Sequence, residues 1–243
     1  MGINVGSSIV TDNLVVSFDG ASEVSYSGSG TQWTDRSGNG HNGTLTNEPT
    51  YSTDNGGLFD FDGSNDYVTI SGNGSNDNHA WTADNSVGSD ILCMEIWYKG
   101  TDGSGRIISK PWNGSGQYNI SIYPNTFSLL VGTQSNSLGF TNIIDDQWHQ
   151  LVLWANNIQM GYYFDGGNTS NSITHGLTEG VPQYGNSGLP LGLMTLYFYG
   201  QGWAGNTGHA NQGRVAVFRK YSKILSQEEV LQNYNATKGR FGL

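Results

Sequence analysis

Wherever the chain is not rich in turn residues, its apolar and polar positions alternate with a period of two. In Phe59-Asp60-Phe61-Asp62 the two aromatics fall on one side of an extended strand, and after Gly63-Ser64-Asn65 the alternation resumes in Asp66-Tyr67-Val68-Thr69-Ile70. This pattern predicts two strands and a turn. It predicts further strands over residues 91–98, 106–110, 118–123, 127–131, 148–154 and 214–220, with Tyr118, Ile120 and Ile122 aligned on one face. Ile158, Met160, Tyr162 and Phe164 alternate into Asp165-Gly166, a dipeptide that takes up the positive φ angles of a hairpin turn. Short strands broken by frequent turns predict antiparallel sheets.

Asn-Gly pairs punctuate the chain at Asn39-Gly40, Asn42-Gly43, Asn55-Gly56, Asn73-Gly74 and Asn113-Gly114, because Asn and Gly enter the left-handed region at least cost. One helix is predicted: Ser226-Gln227-Glu228-Glu229 is a capping box, followed by Val230, Leu231 and Tyr234 on one apolar face and by Gly239 as a stop. There is no linker-like shift in composition, no charge block and no repeat of fixed period. Residues 1–243 therefore read as one all-β domain, in which the long polar or Gly-rich segments 71–90 and 180–213 are elaborated loops.

Composition sharpens this by exclusion. With 36 Gly among 243 residues and only 12% charged residues, glycine is about twice and charge about half the usual share, which rules out coiled coils and helical repeats. Seven Trp, 13 Tyr and 9 Phe form an aromatic load that disordered chains avoid. The net charge of −10 repels phosphate backbones and anionic lipid alike, so neither nucleic acid nor a membrane surface is expected as a partner. No apolar stretch approaches the ~18 residues of a membrane span. Cys93 stands alone, which excludes an internal disulfide framework and suits a reducing compartment. The N-terminus MGINVGSSIV has no basic flank or long apolar run and reads as lacking an export signal.

Five stretches in order resemble the laminin G-like branch of the concanavalin A-like lectin/glucanase superfamily. They are IVTDNLVVSFDGAS (9–22), WTDRSGNGHNGTLTN (33–47), FDFDGSNDYVTI (59–70), the hairpin running from WHQLVLW to YYFDGG (148–167), and GRVAVFRKYSKILSQEEVLQNYNATKGRFGL (213–243). The resemblance covers almost the whole chain and implies a two-sheet antiparallel jelly-roll sandwich with one short C-terminal helix. The first two stretches and the tail Asn233-Tyr234-Asn235-Ala236-Thr237 resemble, more narrowly, virion structural proteins of tailed phages, notably those of marine bacteria. That likeness implies a non-enzymatic head-decorating, fibre or tail-associated protein, exposed on the virion after assembly in the host cytoplasm. Its implied partners are other virion proteins and host-surface polysaccharide, and a homo-oligomer is compatible with them. A free carbohydrate-binding lectin is the alternative, and a glycoside hydrolase the third reading.

Hydrolysis of a glycosidic bond usually needs two facing carboxylates. Glu95 is the best strand-borne acid, but the same-face positions after it hold Trp97 and Lys99, so the paired-acid signature is absent and Glu95 reads as a solvated or rim carboxylate. No nucleophile elbow, phosphate loop or HExxH zinc motif occurs. His149 reads as structural. Because some laminin G-like domains bind calcium at the rim of the sandwich, Asp62, Asp66 and Asp165 are the candidate ligands, with Asp60 in the same turn as the first two. Asp62 and Asp165 also precede turn glycines, a placement that needs no metal. The resemblance implies core or edge packing for Trp33, Trp97 and Trp148, whereas Trp81, Trp112 and Trp203 stand in Asn/Gly-rich loops and are the candidates for stacking on sugar rings, or else for sealing loops over the core or an oligomer contact.

Overall fold

The computed structural model of the chain describes residues 8–70, 91–101, 105–110, 118–131, 134–140, 142–156, 158–174, 191–193 and 211–243. In chain order its strands are β1 (Leu14–Asp19), β2 (Gln32–Trp33), β3 (Gly43–Thr46), β4 (Thr50–Ser52), β5 (Leu58–Asp62), β6 (Tyr67–Ile70), β7 (Leu92–Gly100) and β8 (Ile108–Lys110). There follow β9 (Tyr118–Tyr123), β10 (Thr126–Val131), β11 (Gln134–Gly139), β12 (His149–Ala155), β13 (Gln159–Phe164), β14 (Thr169–Thr174), β15 (Leu191–Leu193) and β16 (Gln212–Tyr221). One helix, α1 (Gln227–Thr237), closes the chain together with a 3-10 turn at Lys238–Phe241. Among the described residues no helix is long and apolar enough to cross a membrane.

The strands form two sheets, and all their pairings are antiparallel. Sheet A has the order β14-β13-β12-β7-β16-β5-β4, with β1 also pairing to β16; sheet B has the order β11-β10-β9-β8-β15-β6-β3-β2. The chain is thus the two-sheet jelly-roll sandwich that the resemblance implies, built from the antiparallel sheets that the alternation predicts. Apolar residues that alternate along each strand meet between the sheets: Leu92, Met94, Ile96 and Tyr98 from β7 lie in the same core as Ile120 and Ile122 from β9 and Phe127 and Leu129 from β10. Trp33 fills the centre of one end, 5.1 Å from Phe18 and 4.7 Å from Phe59 between ring centroids.

Sheet A is covered on its outer side as well. A register shift between Val215 and Val217 places Val215 and Phe218 in the inter-sheet core, while Ala216 and Val217 join the outer cluster with Trp97 and Trp148. On that outer face Trp97 stacks with Tyr234 at 5.5 Å and with Phe241 at 4.8 Å, and Trp148 stacks with Phe241 at 4.4 Å. Trp33, Trp97 and Trp148 are therefore packing residues, as expected.

The capping box forms as predicted, with Glu229 N donating to Ser226 Oγ (3.3 Å) and Ser226 N donating to Glu229 Oε2 (3.0 Å). Two details differ from expectation. The chain passes Gly239 in the 3-10 turn and reverses at Gly242, whose φ is 76°. Leu231 points outward, 45% exposed, and the buried positions of the helix are Val230, Asn233 and Thr237, because the surface beneath it is partly polar. The expected hairpin turn is present, with Asp165 (φ 45°), Gly166 (φ 74°) and Gly167 (φ 85°) all left-handed. Asn55-Gly56 also turns, at φ 50° and 83°, whereas Gly43 of Asn42-Gly43 begins β3 instead of a turn.

Candidate functional site

The outward face of sheet B follows from the same alternation that builds the core. With Val68 and Ile70 turned inward, β6 turns Tyr67 and Thr69 outward; with Ile120, Ile122, Phe127 and Leu129 inward, β9 and β10 present Ser121, Tyr123, Thr126 and Ser128. The register places Thr44, Thr69, Gly192, Ser109, Ser121, Ser128 and Ser137 directly opposite one another on seven neighbouring strands. Six hydroxyls and one glycine thus run straight across β3, β6, β15, β8, β9, β10 and β11. At about 4.8 Å per strand the row is on the order of 29 Å long.

This row is neutral and small, and its two flanks differ from its middle. Thr44 and Ser137 are exposed, Thr69 and Ser128 half-buried, and Ser109 and Ser121 buried. The hydroxyls of Ser128 and Ser137 lie 2.7 Å apart. Arg106, just before β8, donates from Nε to Ser121 Oγ (2.9 Å) and holds its guanidinium over the Tyr123 ring, 5.0 Å from the centroid. None of the outward side chains of Thr44, Thr46, Tyr67, Thr69, Tyr123, Thr126, Ser128, Ser135 and Ser137 carries a charge at neutral pH. The accessible hydroxyls of Thr44, Thr69, Ser128 and Ser137 can each both donate and accept, which matches them to a polyol, and Arg106 adds one positive charge beside the buried middle of the row.

The carboxylates flagged by the sequence lie elsewhere. Asp62 Oδ1 accepts from Ser64 N (2.7 Å) and Asp66 Oδ2 from Asp62 N (3.3 Å), which closes the β5–β6 turn. Burial, with the negative charges of Asp62 and Asp60 nearby, pushes the Asp66 carboxyl above its ordinary value against the opposing hydrogen bond from Asp62 N. Asp60 is paired with Arg214 Nε at 2.9 Å. Asp165 stands in a different place, after β13, with β16, β7 and β12 between it and the end of β5. Its Oδ1 accepts from Gln150 N (2.9 Å), and its Oδ2 lies 2.9 Å from His149 Nδ1. Among the described residues no group of three or more His, Cys, Asp or Glu side chains is placed to hold a metal ion.

Glu95 is not on the rim. It is fully buried beneath α1, where Oε1 accepts from Trp97 Nε1 (3.2 Å), Gln150 Nε2 (2.9 Å) and Arg219 Nη1 (2.9 Å), and Oε2 from Asn233 Nδ2 (2.7 Å). The sequence hid this because the chain segment that covers the outer face of sheet A lies 138 residues further on. Burial opposes the charge of Arg219, but the adjacent Glu95 carboxylate outweighs it and holds the guanidinium above its ordinary range. The Cys93 thiol, also buried, is pushed up to about 12 and is not a nucleophile at neutral pH.

Trp81, Trp112 and Trp203 lie outside the described residues. The segments that carry them each follow one of the three central strands of sheet B: 71–90 follows β6, 111–117 follows β8 and 194–210 follows β15. The hydroxyl row was not singled out from sequence. Its signal was present as the Ser and Thr of the alternating strands, but which strands stand side by side is set by long-range pairing.

No family model matches the sequence, and no curated protein matches it. In three dimensions the chain is similar to the binding domain of botulinum neurotoxin DC in complex with rat synaptotagmin II, with TM-score 0.64, 12% identity, and 94% of this chain and 52% of that chain covered. The same domain in complex with SialylT gives TM-score 0.63 and 13% identity over 93% of this chain and 52% of that chain. Domain 4 of AbnA, a GH43 extracellular arabinanase from Geobacillus stearothermophilus, in complex with arabinotriose, gives TM-score 0.64 and 13% identity over 91% of this chain and 98% of that domain. The chain thus spans about half of the toxin chains and nearly all of the arabinanase domain. At these identities the likeness is one of fold.

Proposed function

We propose that this chain is a non-enzymatic glycan-binding β-sandwich that contacts carbohydrate through the outward face of sheet B. The observation that carries the proposal is the row of hydroxyl-bearing or glycine positions across seven strands, whose accessible hydroxyls are those of Thr44, Thr69, Ser128 and Ser137, with the guanidinium of Arg106 beside its buried middle. The accessible hydroxyls of this face offer donors and acceptors to sugar hydroxyls, while Tyr67 supplies aromatic surface for sugar C–H groups. Trp81, Trp112 and Trp203, on segments that follow the central strands of the same sheet, are proposed to add stacking surface. The binding of arabinotriose by one fold neighbour and of SialylT by another is consistent with this reading. Hydrolysis is not part of it, since the one acid on a central strand, Glu95, is sealed under α1.

The finer proposal is a structural protein of a phage virion, a head decoration, fibre or tail-associated element, with host-surface polysaccharide and other virion proteins as partners. It rests on the wording of the first two motif stretches and of the C-terminal tail. A free lectin is the second reading, favoured by the neighbour that is a discrete domain seen with a trisaccharide. Screening the purified protein on a glycan array, followed by calorimetric titration of the best ligand, tests the sheet-B reading. Ser128→Lys/Ser137→Lys is expected to weaken binding at least tenfold without altering the melting temperature. Unchanged affinity in that variant, or no glycan bound at all, defeats the reading. Co-sedimentation with intact particles separates the virion protein from the free lectin.

A further inference from the structure

The two long sheet edges lie on one flank of the sandwich. Among the described residues β14 ends sheet A and β11 ends sheet B, each six residues long, each paired on one side, and each in continuous register with its neighbour. Phe140, directly after β11, touches Tyr162 of β13 at 5.7 Å between centroids, which brings the two edges together. The opposite flank ends in β4, of three residues, and β2, of two. Every residue of β14 is exposed except Ile173, which is half-buried. A long open edge presents unpaired backbone N–H and C=O groups, and proteins ordinarily blunt such edges with Lys, Pro, a bulge or a covering segment. β14 has no Lys, Pro or bulge, its side chains are largely exposed, and among the described residues no segment pairs with its outer edge.

The charge distribution points the same way. All Lys and Arg residues of this chain lie outside residues 111–213, and the hairpin from Ile158 to Thr174 carries one charge, Asp165, at its turn. Beside the open strand lies apolar surface: Ile158 is 63% exposed, and Trp154 and Tyr163 on the outer face of sheet A are half-buried. Trp154 lies flat across Gly161, where an added Cβ would come within 2.4 Å of the indole ring.

From these features we infer that the protein self-associates through β14, two copies pairing this strand antiparallel about a two-fold axis and so continuing sheet A from one copy into the next. The occupant is a second copy for two reasons. Antiparallel pairing about a two-fold axis satisfies both open edges at once, whereas a foreign partner would need an open edge of its own. A chain of net charge −10 repels its copies, but β14 itself carries no charged side chain, so no like charges from this strand meet across the seam. Six paired residues and their neighbours fall short of the ~800 Å² per partner of a standard interface, so the dimer is weak, with a dissociation constant of roughly 10–500 μM. The two-fold axis of an antiparallel edge pair runs perpendicular to the sheet. Both copies therefore turn the outward face of sheet B in the same direction, which favours bivalent attachment to a polysaccharide surface. The association itself does not depend on the glycan reading.

Sedimentation velocity of the full chain from about 5 to 500 μM tests it. The weight-average mass is expected to rise from 26.2 kDa towards twice that value. Ser170→Lys/Ser172→Lys, which places like charges on both sides of the seam, is expected to remain monomeric throughout with an unchanged melting temperature. Ile158→Asp is expected to weaken the dimer independently, and Thr44→Lys, on the far flank, to leave it intact. A wild-type protein that stays monomeric at 500 μM overturns the inference, as does a dimer that persists in the β14 double variant. If the monomeric variant still binds sugar in solution but loses avidity on a glycan-coated surface, the glycan reading stands and the role of the dimer is seen separately.

Discussion

Glu95 Oε2 accepts a 2.7 Å hydrogen bond from Asn233 Nδ2, joining the middle of a central strand to the buried side of the only α-helix among the described residues. The same Asn233 accepts from Val10 N through Oδ1 (2.7 Å) and donates to Tyr221 Oη (2.9 Å), so one amide ties three chain segments together. Replacing Glu95 with Ala leaves Arg219 buried without its carboxylate, and is expected to cost about 3–5 kcal/mol. Asn233→Ala is expected to cost about 1–3 kcal/mol. Urea unfolding followed by tryptophan fluorescence checks both. A Glu95→Ala variant as stable as the wild type would contradict the role assigned to this carboxylate.

Arg240 locks the C-terminal turn over sheet A. Its Nε donates to Asn55 O (2.9 Å), Nη1 to Asp19 Oδ1 (2.7 Å) and Nη2 to Gly57 O (2.9 Å), while Asn55 Nδ2 donates back to Arg240 O (2.8 Å). Lysine cannot reproduce this fork. Arg240→Lys is therefore expected to recover little of the roughly 1–3 kcal/mol lost in Arg240→Ala. Phe241→Ala should red-shift the emission of Trp97 and Trp148 by opening their stacked faces to water, and an unshifted spectrum would show that the turn does not shield them.

Beneath Arg240 two chain segments cross at a pair of glycines. A Cβ on Gly57, whose φ is 145°, would lie 2.0 Å from Gly20 O, and a Cβ on Gly20 would lie 2.6 Å from Gly57 O. Both neighbours are backbone and cannot rotate away. Gly57→Ala is expected to lose at least about 3 kcal/mol, more than the same change at Gly239, where an added Cβ meets open space. Thermal melts of the two variants side by side decide the point.

Local chemistry made β5, β6, β13 and the helix cap legible in the sequence, because each has strong alternation or a capping residue of its own. β14 and β11 were not legible, since TSNSIT and QSNSLG have almost no apolar rhythm. Edge strands need little of it. Asn42-Gly43 reads as a turn, although Gly43 begins β3 packed closely on Phe18 and Val68, an added Cβ falling 3.0 Å from Val68 Cγ1. The burial of Glu95 and the hydroxyl row of sheet B both depend on pairings between residues far apart in sequence, which period-two patterns do not encode.

Lys220 faces the interior, between Met94 and Val16 on the neighbouring strands, and burial pushes its ammonium down to about 8. The unfolded chain holds that proton up to about 10.5. Between these values the unfolded state binds more protons, so this residue costs stability below pH 8 and the cost fades as pH rises towards 10.5. Lys220→Met is expected to raise the melting temperature at pH 7 and to flatten this part of the stability profile. A lower melting temperature at pH 7 would show that the ammonium stabilises the fold.

His149 carries the opposite dependence. Its Nδ1 lies 2.9 Å from Asp165 Oδ2 and its Nε2 3.1 Å from Asp145 Oδ1, with the ring stacked on Phe164 at 4.7 Å. Partial burial works against the imidazolium, but the hydrogen bonds and charges of Asp165 and then Asp145 outweigh it and raise the pKa above the ordinary 6.5. The nearby ion pair of Lys99 with Asp146, at 3.1 Å, is internally neutral and leaves these two carboxylates as the charges that decide the shift. A group whose folded pKa is raised contributes stability that is complete below its unfolded pKa and disappears as pH rises through the folded value. The wild type is therefore expected to lose stability relative to His149→Gln as pH increases from 6 to 8, and the variant to be nearly flat over that range. The proton also holds the turn at Asp165–Gly167 to β12, and Gln227 Nε2 donates to Gly167 O (3.3 Å) from the first turn of α1. Hydrogen exchange in residues 165–168 and 227–231 should accelerate together at alkaline pH in the wild type. Acceleration at 165–168 alone would mean that the histidine holds the turn and not the helix.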